Sequence, residues 1–260
     1  MKSAHLKIGA AMVVAMAAAF VTLIAAPAGA ANDLRPDLRM AAFDKDTKPY
    51  IESTPDGRRL LRFDSIIVNV GAGNFEVHGS RPGTDIPEMT VTQRVFNNAG
   101  GYRNRSTTAR MYFSGDGHDH WHLRNLQLYS LIRLADGKRV RTGDKHGFCF
   151  WDNVSFGSSQ EEFYTASSSP PACGRSPKNL RVTMGLSSGW GDIYPNWLPD
   201  QFIDITGVPS GTYRLRGVAD PSNWFLEENN TNNFTWLDIR VRADNTVSVI
   251  RHGPAAKPIS

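Results

Sequence analysis

Three histidines occupy alternate positions of one short segment, Gly117-His118-Asp119-His120-Trp121-His122. In an extended strand, alternate side chains lie on the same face, so the imidazole rings of His118, His120 and His122 would point in one direction. Three such rings can bind one metal ion and leave coordination positions open for water or a substrate, which is typical of catalytic metal sites. The pattern therefore predicts a metal centre with three histidine ligands.

The spacing of the histidines does not identify the metal ion. Imidazole binds zinc, copper, iron and nickel, and copper(II) stands highest in the general affinity order. A zinc hydrolase would normally add a neighbouring carboxylate, but Asp119 would lie on the opposite face of the strand. The four residues that follow, 123–126, lack the glutamate of a cupin. A zinc-dependent hydrolase, a non-catalytic secreted metal-binding β-domain and a polar loop that is merely rich in histidine remain alternatives.

The chain has two cysteines, Cys149 and Cys173. In an exported protein an isolated pair favours a disulfide over two free thiols. Closing a loop of this length would stabilise the fold by roughly 3 kcal/mol in the chain-entropy model. Neither cysteine neighbours the histidines, which disfavours a thiolate ligand for the metal.

Residues 1–30 have the features of a signal peptide. Lys2 and Lys7 precede an apolar run over 8–26, and Ala28-Gly29-Ala30 is a small-x-small cleavage pattern. We expect cleavage after Ala30, secretion and no stable membrane association afterwards; an uncleaved membrane anchor is the alternative. Removing the two lysines lowers the formal net charge from +4 to +2. The remaining basic residues are scattered, so nucleic-acid binding is not indicated.

Short segments rich in β-branched and aromatic residues alternate with Gly, Pro and Asn, and no segment has a helical period of four turns. These patterns predict a single-domain β-sandwich with long loops over 31–250, followed by a disordered C-terminal tail at 251–260. Asp136-Gly137 predicts a hairpin turn, because this dipeptide adopts the positive φ angles of tight turns. Two strands at 201–206 and 211–218 are predicted to pair with each other, and further strands are predicted at 234–242 and 247–250.

Three blocks of sequence together point to a known protein family. The histidine run leads into Leu126-Gln127-Leu128-Tyr129-Ser130-Leu131, and Asp144-Lys145-His146-Gly147-Phe148-Cys149 follows. The third block is Gly189-Trp190-Gly191-Asp192-Ile193-Tyr194. In order and spacing these blocks resemble the copper-binding, lysine-containing and tyrosine-containing segments of the lysyl oxidase catalytic domain. Further agreement at 36–38, 60–63 and 227–233 extends the resemblance over nearly the whole predicted mature chain.

The resemblance implies a secreted copper amine oxidase of the protein-lysine 6-oxidase type. Such an enzyme uses molecular oxygen to convert a primary amine, either peptidyl-lysine or a small amine, to an aldehyde, with release of ammonia and hydrogen peroxide. The three histidines would hold copper(II), and Lys145 and Tyr194 would form the cofactor lysine tyrosylquinone. Asp192 and His146 lie nearest to these two residues in sequence and are the candidates for a general base.

The resemblance also implies a calcium site. Its ligands would be the side chains of Asp37, Glu227, Asn229, Asn232 and Asn233 and the carbonyl of Leu38, and such oxygen donors suit calcium. The family has an aspartate where Asn229 stands, which would weaken binding. A polar turn whose asparagines bond to their own backbone is the alternative.

This chain departs from the family in two further ways. The animal enzymes are rich in cysteine, whereas this chain has two, and Asp144 stands where the family has a histidine before its lysine. Collagen or elastin is therefore not the expected substrate; small amines or lysines on surface proteins are.

Overall fold

The computed structural model describes residues 31–114, 119–143, 145–158, 161–169 and 171–259. Within these residues the regular secondary structure consists of β-strands, which confirms the predicted all-β class. In chain order the strands are β1 Asp33–Leu34, β2 Leu38–Met40, β3 Tyr50–Ser53, β4 Arg59–Arg62, β5 Ser65–Asn69, β6 Phe75–Ser80, β7 Glu88–Asn97, β8 Tyr102–Phe113, β9 Trp121–Arg124, β10 Gln127–Arg133, β11 Arg139–Thr142, β12 Gly147–Phe148, β13 Val154–Ser155, β14 Arg181–Leu186, β15 Trp190–Tyr194, β16 Phe202–Asp204, β17 Gly211–Ala219, β18 Phe234–Val241 and β19 Val247–His252.

The strands form four antiparallel sheets. The largest has the order β12-β9-β8-β7-β6-β14, with β1 added beside β7, and a five-stranded sheet has the order β11-β10-β17-β18-β19. Two smaller sheets have the orders β13-β15-β5-β2 and β16-β4-β3. The site described below lies where β9 and β12 of the largest sheet meet β15 of a smaller one.

One hydrophobic core is shared by all four sheets. The alternation of residues along the strands produces this core. In β17, for example, every second residue from Tyr213 to Ala219 is buried, and the residues between them are partly exposed. Phe63 packs edge-on against Tyr129 with ring centres 5.0 Å apart, which joins the three-stranded and five-stranded sheets. Each sheet therefore buries one face in a common interior, and β5 is buried on both faces because Ile66 and Val68 pack with Phe156 in a second, smaller cluster.

One predicted hairpin is confirmed and the other is wrong. Strands β10 and β11 pair through a turn in which Gly137 has a φ of 67°. Strands β16 and β17 do not pair with each other: β16 pairs with β4, whereas β17 lies between β10 and β18. The connection at 208–211 thus leads from the three-stranded sheet to the five-stranded sheet. Closeness in sequence therefore did not determine which strand pairs with β16 or with β17.

The C-terminal segment differs from the predicted disordered tail. The backbone N–H groups of Gly253, Ala256 and Ile259 donate hydrogen bonds of 2.9, 2.8 and 3.2 Å to the carbonyls of Trp236, Met40 and Phe156. Through residue 259 the segment is therefore attached to three different parts of the domain. The predicted signal peptide, residues 1–30, lies outside the described residues. In the part of the chain that the structure describes, no helix is long and apolar enough to cross a membrane.

Candidate active site and metal centre

The histidine segment leads into strand β9. Trp121 and Leu123 of this strand are fully buried in the core, so His122 between them faces the other way, opposite Tyr112 of β8. Asp119 has a φ of 25°, so the chain becomes extended only after His120. Even so, the Nε2 atoms of His120 and His122 lie 2.8 Å apart. The two described rings therefore meet at one point; His118 lies outside the described residues.

The lysine-containing block runs beside the histidine strand. Strand β12 pairs with β9, with Gly147 opposite Arg124 and Phe148 opposite Leu123. Lys145 lies two residues before β12, and its side chain is largely buried. A side chain at Gly147 would overlap the Tyr112 hydroxyl and bring a Cβ within 2.5 Å of His122 Nδ1. Glycine is thus required for β12 to pack this closely on the side of β9 that carries His122.

The tyrosine-containing block forms β15, which pairs with β5. Tyr194 is 5% exposed, and its hydroxyl donates a 2.6 Å hydrogen bond to the carbonyl of Cys149. The Nζ atom of Lys145 lies 5.2 Å from the centre of the Tyr194 ring. Residues separated by about fifty positions in sequence are thus brought together, as cross-linking between them would require.

One cavity of about 280 Å³ is lined by His120, His122, Lys145 and Tyr194. The other lining residues are Cys149, Trp151, Asn153, Asp192, Ile193, Pro195, Trp197 and Leu198. Sequence reasoning did not single out Trp151, Asn153, Trp197 or Leu198 for the site. Their only sequence signal was closeness to the cysteine and tyrosine blocks, which does not say which way a loop side chain points.

Asp192 is the candidate base that lies in the cavity. Burial raises the pKa of its carboxyl well above the usual range, although Asn153 Nδ2 donates a hydrogen bond to it. Burial, and then the negative charge of Asp192, raise the pKa of the Tyr194 phenol well above its usual range. The other candidate, His146, is exposed and hydrogen-bonds to the side chain of Asn125. The geometry therefore favours Asp192 as the group that could take a proton here.

The predicted disulfide between Cys149 and Cys173 is confirmed, with a Cα–Cα distance of 5.6 Å. The carbonyl of Cys173 accepts a 2.9 Å hydrogen bond from the backbone N–H of Trp121. The disulfide therefore connects the start of the histidine strand to the residue whose carbonyl binds the Tyr194 hydroxyl.

The oxygen-rich residues of the expected calcium site lie close together, with one exception. Glu227 accepts hydrogen bonds from the Leu38 backbone N–H at 2.6 Å and from Asn233 Nδ2 at 2.9 Å. Asn232 Nδ2 donates a 2.9 Å bond to Asp37. Asn229 is the exception, because it is exposed and its Oδ1 accepts hydrogen bonds from the backbone N–H and the hydroxyl of Thr231. At this position the structure therefore has the polar turn that was the alternative to a calcium ligand.

Three buried oxygens of this cluster have no hydrogen-bond partner: Asp37 Oδ1, Asn232 Oδ1 and Asn233 Oδ1. Burial raises the pKa of Glu227 to about 8 and also raises the pKa of Asp37. Leaving several buried oxygens unsatisfied is costly, and a cation would satisfy them together. The donor set therefore fits calcium through Asp37, Glu227, Asn232 and Asn233.

Comparisons with known proteins agree with this geometry. The family model described as "Lysyl oxidase" matches residues 89–251. Lysyl oxidase homolog 2 of Bos taurus is 27% identical over 188 residues, which is 72% of this chain and 19% of that protein. Lysyl oxidase homolog 1 of Homo sapiens is 34% identical over 124 residues, 47% of this chain and 19% of that protein. Protein-lysine 6-oxidase of Homo sapiens is 32% identical over 125 residues, 47% of this chain and 26% of that protein. The matched region thus spans about a fifth to a quarter of the length of these relatives.

Proposed function

Because the chain belongs to the lysyl oxidase family, we propose that it is a secreted, copper-dependent amine oxidase that deaminates primary amines to aldehydes. Molecular oxygen would be the second substrate, and ammonia and hydrogen peroxide the further products. The observation that carries this proposal is the placement of Lys145 over the ring of Tyr194 in the cavity that His120 and His122 also line. Neither a hydrolase nor a passive metal-binding domain needs this lysine–tyrosine pair.

His120 and His122 would hold the copper(II) ion. Their Nε2 atoms lie 2.8 Å apart, so one ion could contact both rings. His118, two residues before His120, is the proposed third ligand. Imidazole binds both copper and zinc, so the choice of copper over the zinc of the alternative hydrolase rests on the Lys145–Tyr194 pair, which needs a redox-active metal.

Lys145 and Tyr194 fit the proposed second cofactor, lysine tyrosylquinone. Both side chains are buried, the Lys145 amine faces the ring, and Phe148 packs edge-on against Tyr194 with ring centres 5.3 Å apart. When formed, the quinone would supply the electron sink for amine oxidation. The protein residues around it would orient the amine and limit access of water.

Asp192 is the proposed general base. It is 3% exposed, and it lies two residues before Tyr194 on β15. Its carboxylate would remove a proton from the α-carbon of the bound amine, and the amide of Asn153 would hold the carboxyl in place. A carboxyl whose pKa is raised by burial is suited to hold that proton after transfer.

We also propose a structural calcium ion bound by Asp37, Glu227, Asn232 and Asn233. The three unsatisfied buried oxygens and the raised pKa of Glu227 support it. This ion would join the start of β2 to the segment that precedes β18.

The deciding experiment is peptide mapping of the full-length protein expressed with copper. We expect a quinone redox stain, a cross-linked peptide containing Lys145 and Tyr194, and peroxide release with primary amines. His122→Ala and Tyr194→Phe should remove all three signals. The matched controls Lys138→Arg and Tyr102→Phe, at exposed positions outside the cavity, should keep them. Separate lysine and tyrosine peptides with no peroxide would refute the oxidase, and zinc-dependent hydrolysis by the same protein would establish the alternative.

A further inference from the structure

The cavity lining combines buried polar residues with more exposed apolar ones. Lys145, Asp192 and Tyr194 are 8%, 3% and 5% exposed. Trp197 is 71% exposed although it lines the same cavity. The half-buried apolar residues of the lining are Trp151, Ile193, Pro195 and Leu198, and Asn153 is its exposed polar residue. An amine whose nitrogen reaches Tyr194 can therefore place the rest of its body against apolar side chains.

Trp197 is exposed on a fixed loop. Arg62 donates 3.0 Å hydrogen bonds to the carbonyls of Asn196 and Leu198, the residues on either side of the tryptophan. Asp64 accepts a 2.7 Å hydrogen bond from the backbone N–H of Asn196 and a 2.8 Å bond from its side chain. The indole is thus presented to solvent by a backbone that is held in place. Such a preorganised aromatic surface can bind a ligand at a small entropic cost.

The charge of the described lining disfavours one class of amine. Asp192 is the one carboxylate among the described lining residues, and it is buried. Within the described lining, the second ammonium group of a diamine would have no further carboxylate to pair with, and desolvation of an unpaired charge is costly. A volume of about 280 Å³ is close to the lower limit of small-molecule sites. The described cavity therefore suits a small monoamine with an apolar body better than a diamine.

We propose that the substrates are small aryl-alkyl primary monoamines, whose ring stacks on Trp197 while the amine reaches Tyr194. The inference rests on the proposed oxidase function for turnover, but the binding surface can be tested without it. Aromatic pairs gain attraction beyond their buried area when the rings are offset or edge-on. Trp197 is therefore a specificity-determining residue of the site.

The binding arm uses N,N-dimethyl-2-phenylethylamine, a tertiary amine that cannot be turned over as a primary amine. Isothermal titration of the full-length, copper-loaded protein should show binding that Trp197→Ala weakens about tenfold and Trp197→Phe largely restores. Phe163→Ala is the matched control, because Phe163 is 65% exposed but does not line the cavity. It should bind like the wild type, and circular dichroism would verify the fold of each variant.

The turnover arm compares 2-phenylethylamine, 1,5-diaminopentane and a lysine-containing peptide by peroxide release. We expect the highest kcat/KM for 2-phenylethylamine, and Trp197→Ala should raise its KM about tenfold with a smaller change in kcat. A preference for the diamine or the peptide, or binding that is indifferent to Trp197, would overturn the inference while leaving the oxidase standing. Trp197-dependent binding without any peroxide would uphold the aromatic amine site and refute the oxidase.

Discussion

Replacing Gly147 by alanine should weaken copper binding while leaving the fold intact. The new Cβ would lie 2.5 Å from His122 Nδ1, short of the ordinary contact limit of 3.4 Å by about 0.9 Å, and it would also overlap the Tyr112 hydroxyl. Either His122 or strand β12 must therefore move by a distance that exceeds the ~0.5 Å tolerance of a well-positioned site. We expect a loss of roughly 1–3 kcal/mol in stability, typical of overpacking, and a copper affinity about 10–100-fold lower, as for other changes next to a metal ligand.

Copper affinity would be measured by competition with a chelator of known affinity, and folding by circular dichroism and urea denaturation. Gly211→Ala is the matched control, because its nearest neighbour would be an ordinary 3.4 Å from the new Cβ. This control should bind copper like the wild type. A folded Gly147→Ala protein with unchanged copper affinity would show that the close packing of β12 does not position His122.

Four further predictions concern stability. Asp152→Ala should lower the free energy of unfolding in urea by roughly 3 kcal/mol, because four donors lose their buried acceptor. These donors are the backbone N–H groups of Phe163, Tyr164 and Ser187 and the Ser187 hydroxyl. A loss no larger than that of Asp136→Ala, at an exposed position, would contradict this. Burial raises the pKa of Glu76, but hydrogen bonds from His78 and Tyr164 and the charge of Arg94 outweigh it, so the pKa lies below the ordinary 4.5. A depressed pKa contributes stability that is present above pH 4.5 and is lost as the pH falls through the folded-state pKa. Replacing Glu76 by glutamine should therefore make the urea midpoint fall less steeply between about pH 5 and 3. An unaltered slope would refute this role of Glu76. Calcium should raise the melting temperature, EGTA should reverse the increase, and Asp37→Ala but not the exposed variant Asp46→Ala should abolish it; equal responses of both variants would exclude the proposed ligands. Replacing Cys149 and Cys173 together by alanine should lower the free energy of unfolding in denaturant by roughly 3 kcal/mol, and a variant as stable as the wild type would contradict this.

The sequence predicted those features that local chemistry determines. The Asp136-Gly137 turn, the strands at 234–242 and 247–250 and the all-β class follow from residues close together in the chain. The disulfide was predictable because the chain offers one pair of cysteines. Lys145 and Tyr194 were assigned only through the family resemblance, since nothing in their own neighbourhoods indicates that the two side chains meet.

Features that depend on distant partners were not predictable. Strand β17 alternates apolar and polar residues and β16 is a short, mostly apolar segment, and neither pattern specifies a neighbour. Strand β16 pairs with β4, and β17 pairs with β10 and β18. The segment at 253–259 is short and has no strand pattern, yet it is attached by backbone hydrogen bonds that leave no sequence signature. The exposed position of Trp197 at the cavity was also not predictable, because Arg62 and Asp64, from a remote part of the chain, hold its loop in place.

Two cysteines are enough for this site because one short segment carries most of its geometry. Strand β12 is hydrogen-bonded to β9, which carries His122, while Lys145 lies just before it and Cys149 just after it. The Cys149 carbonyl binds the Tyr194 hydroxyl, and its sulfur is bonded to Cys173, whose carbonyl binds the N–H at the start of β9. These bonds close a ring through the histidine strand β9, strand β12 and the disulfide, and the Tyr194 hydroxyl is bound to this ring at Cys149. Any displacement of β12 must therefore disturb His122, the proposed metal ligand, and the lysine–tyrosine pair together, and further disulfides elsewhere in the domain would add little to their alignment.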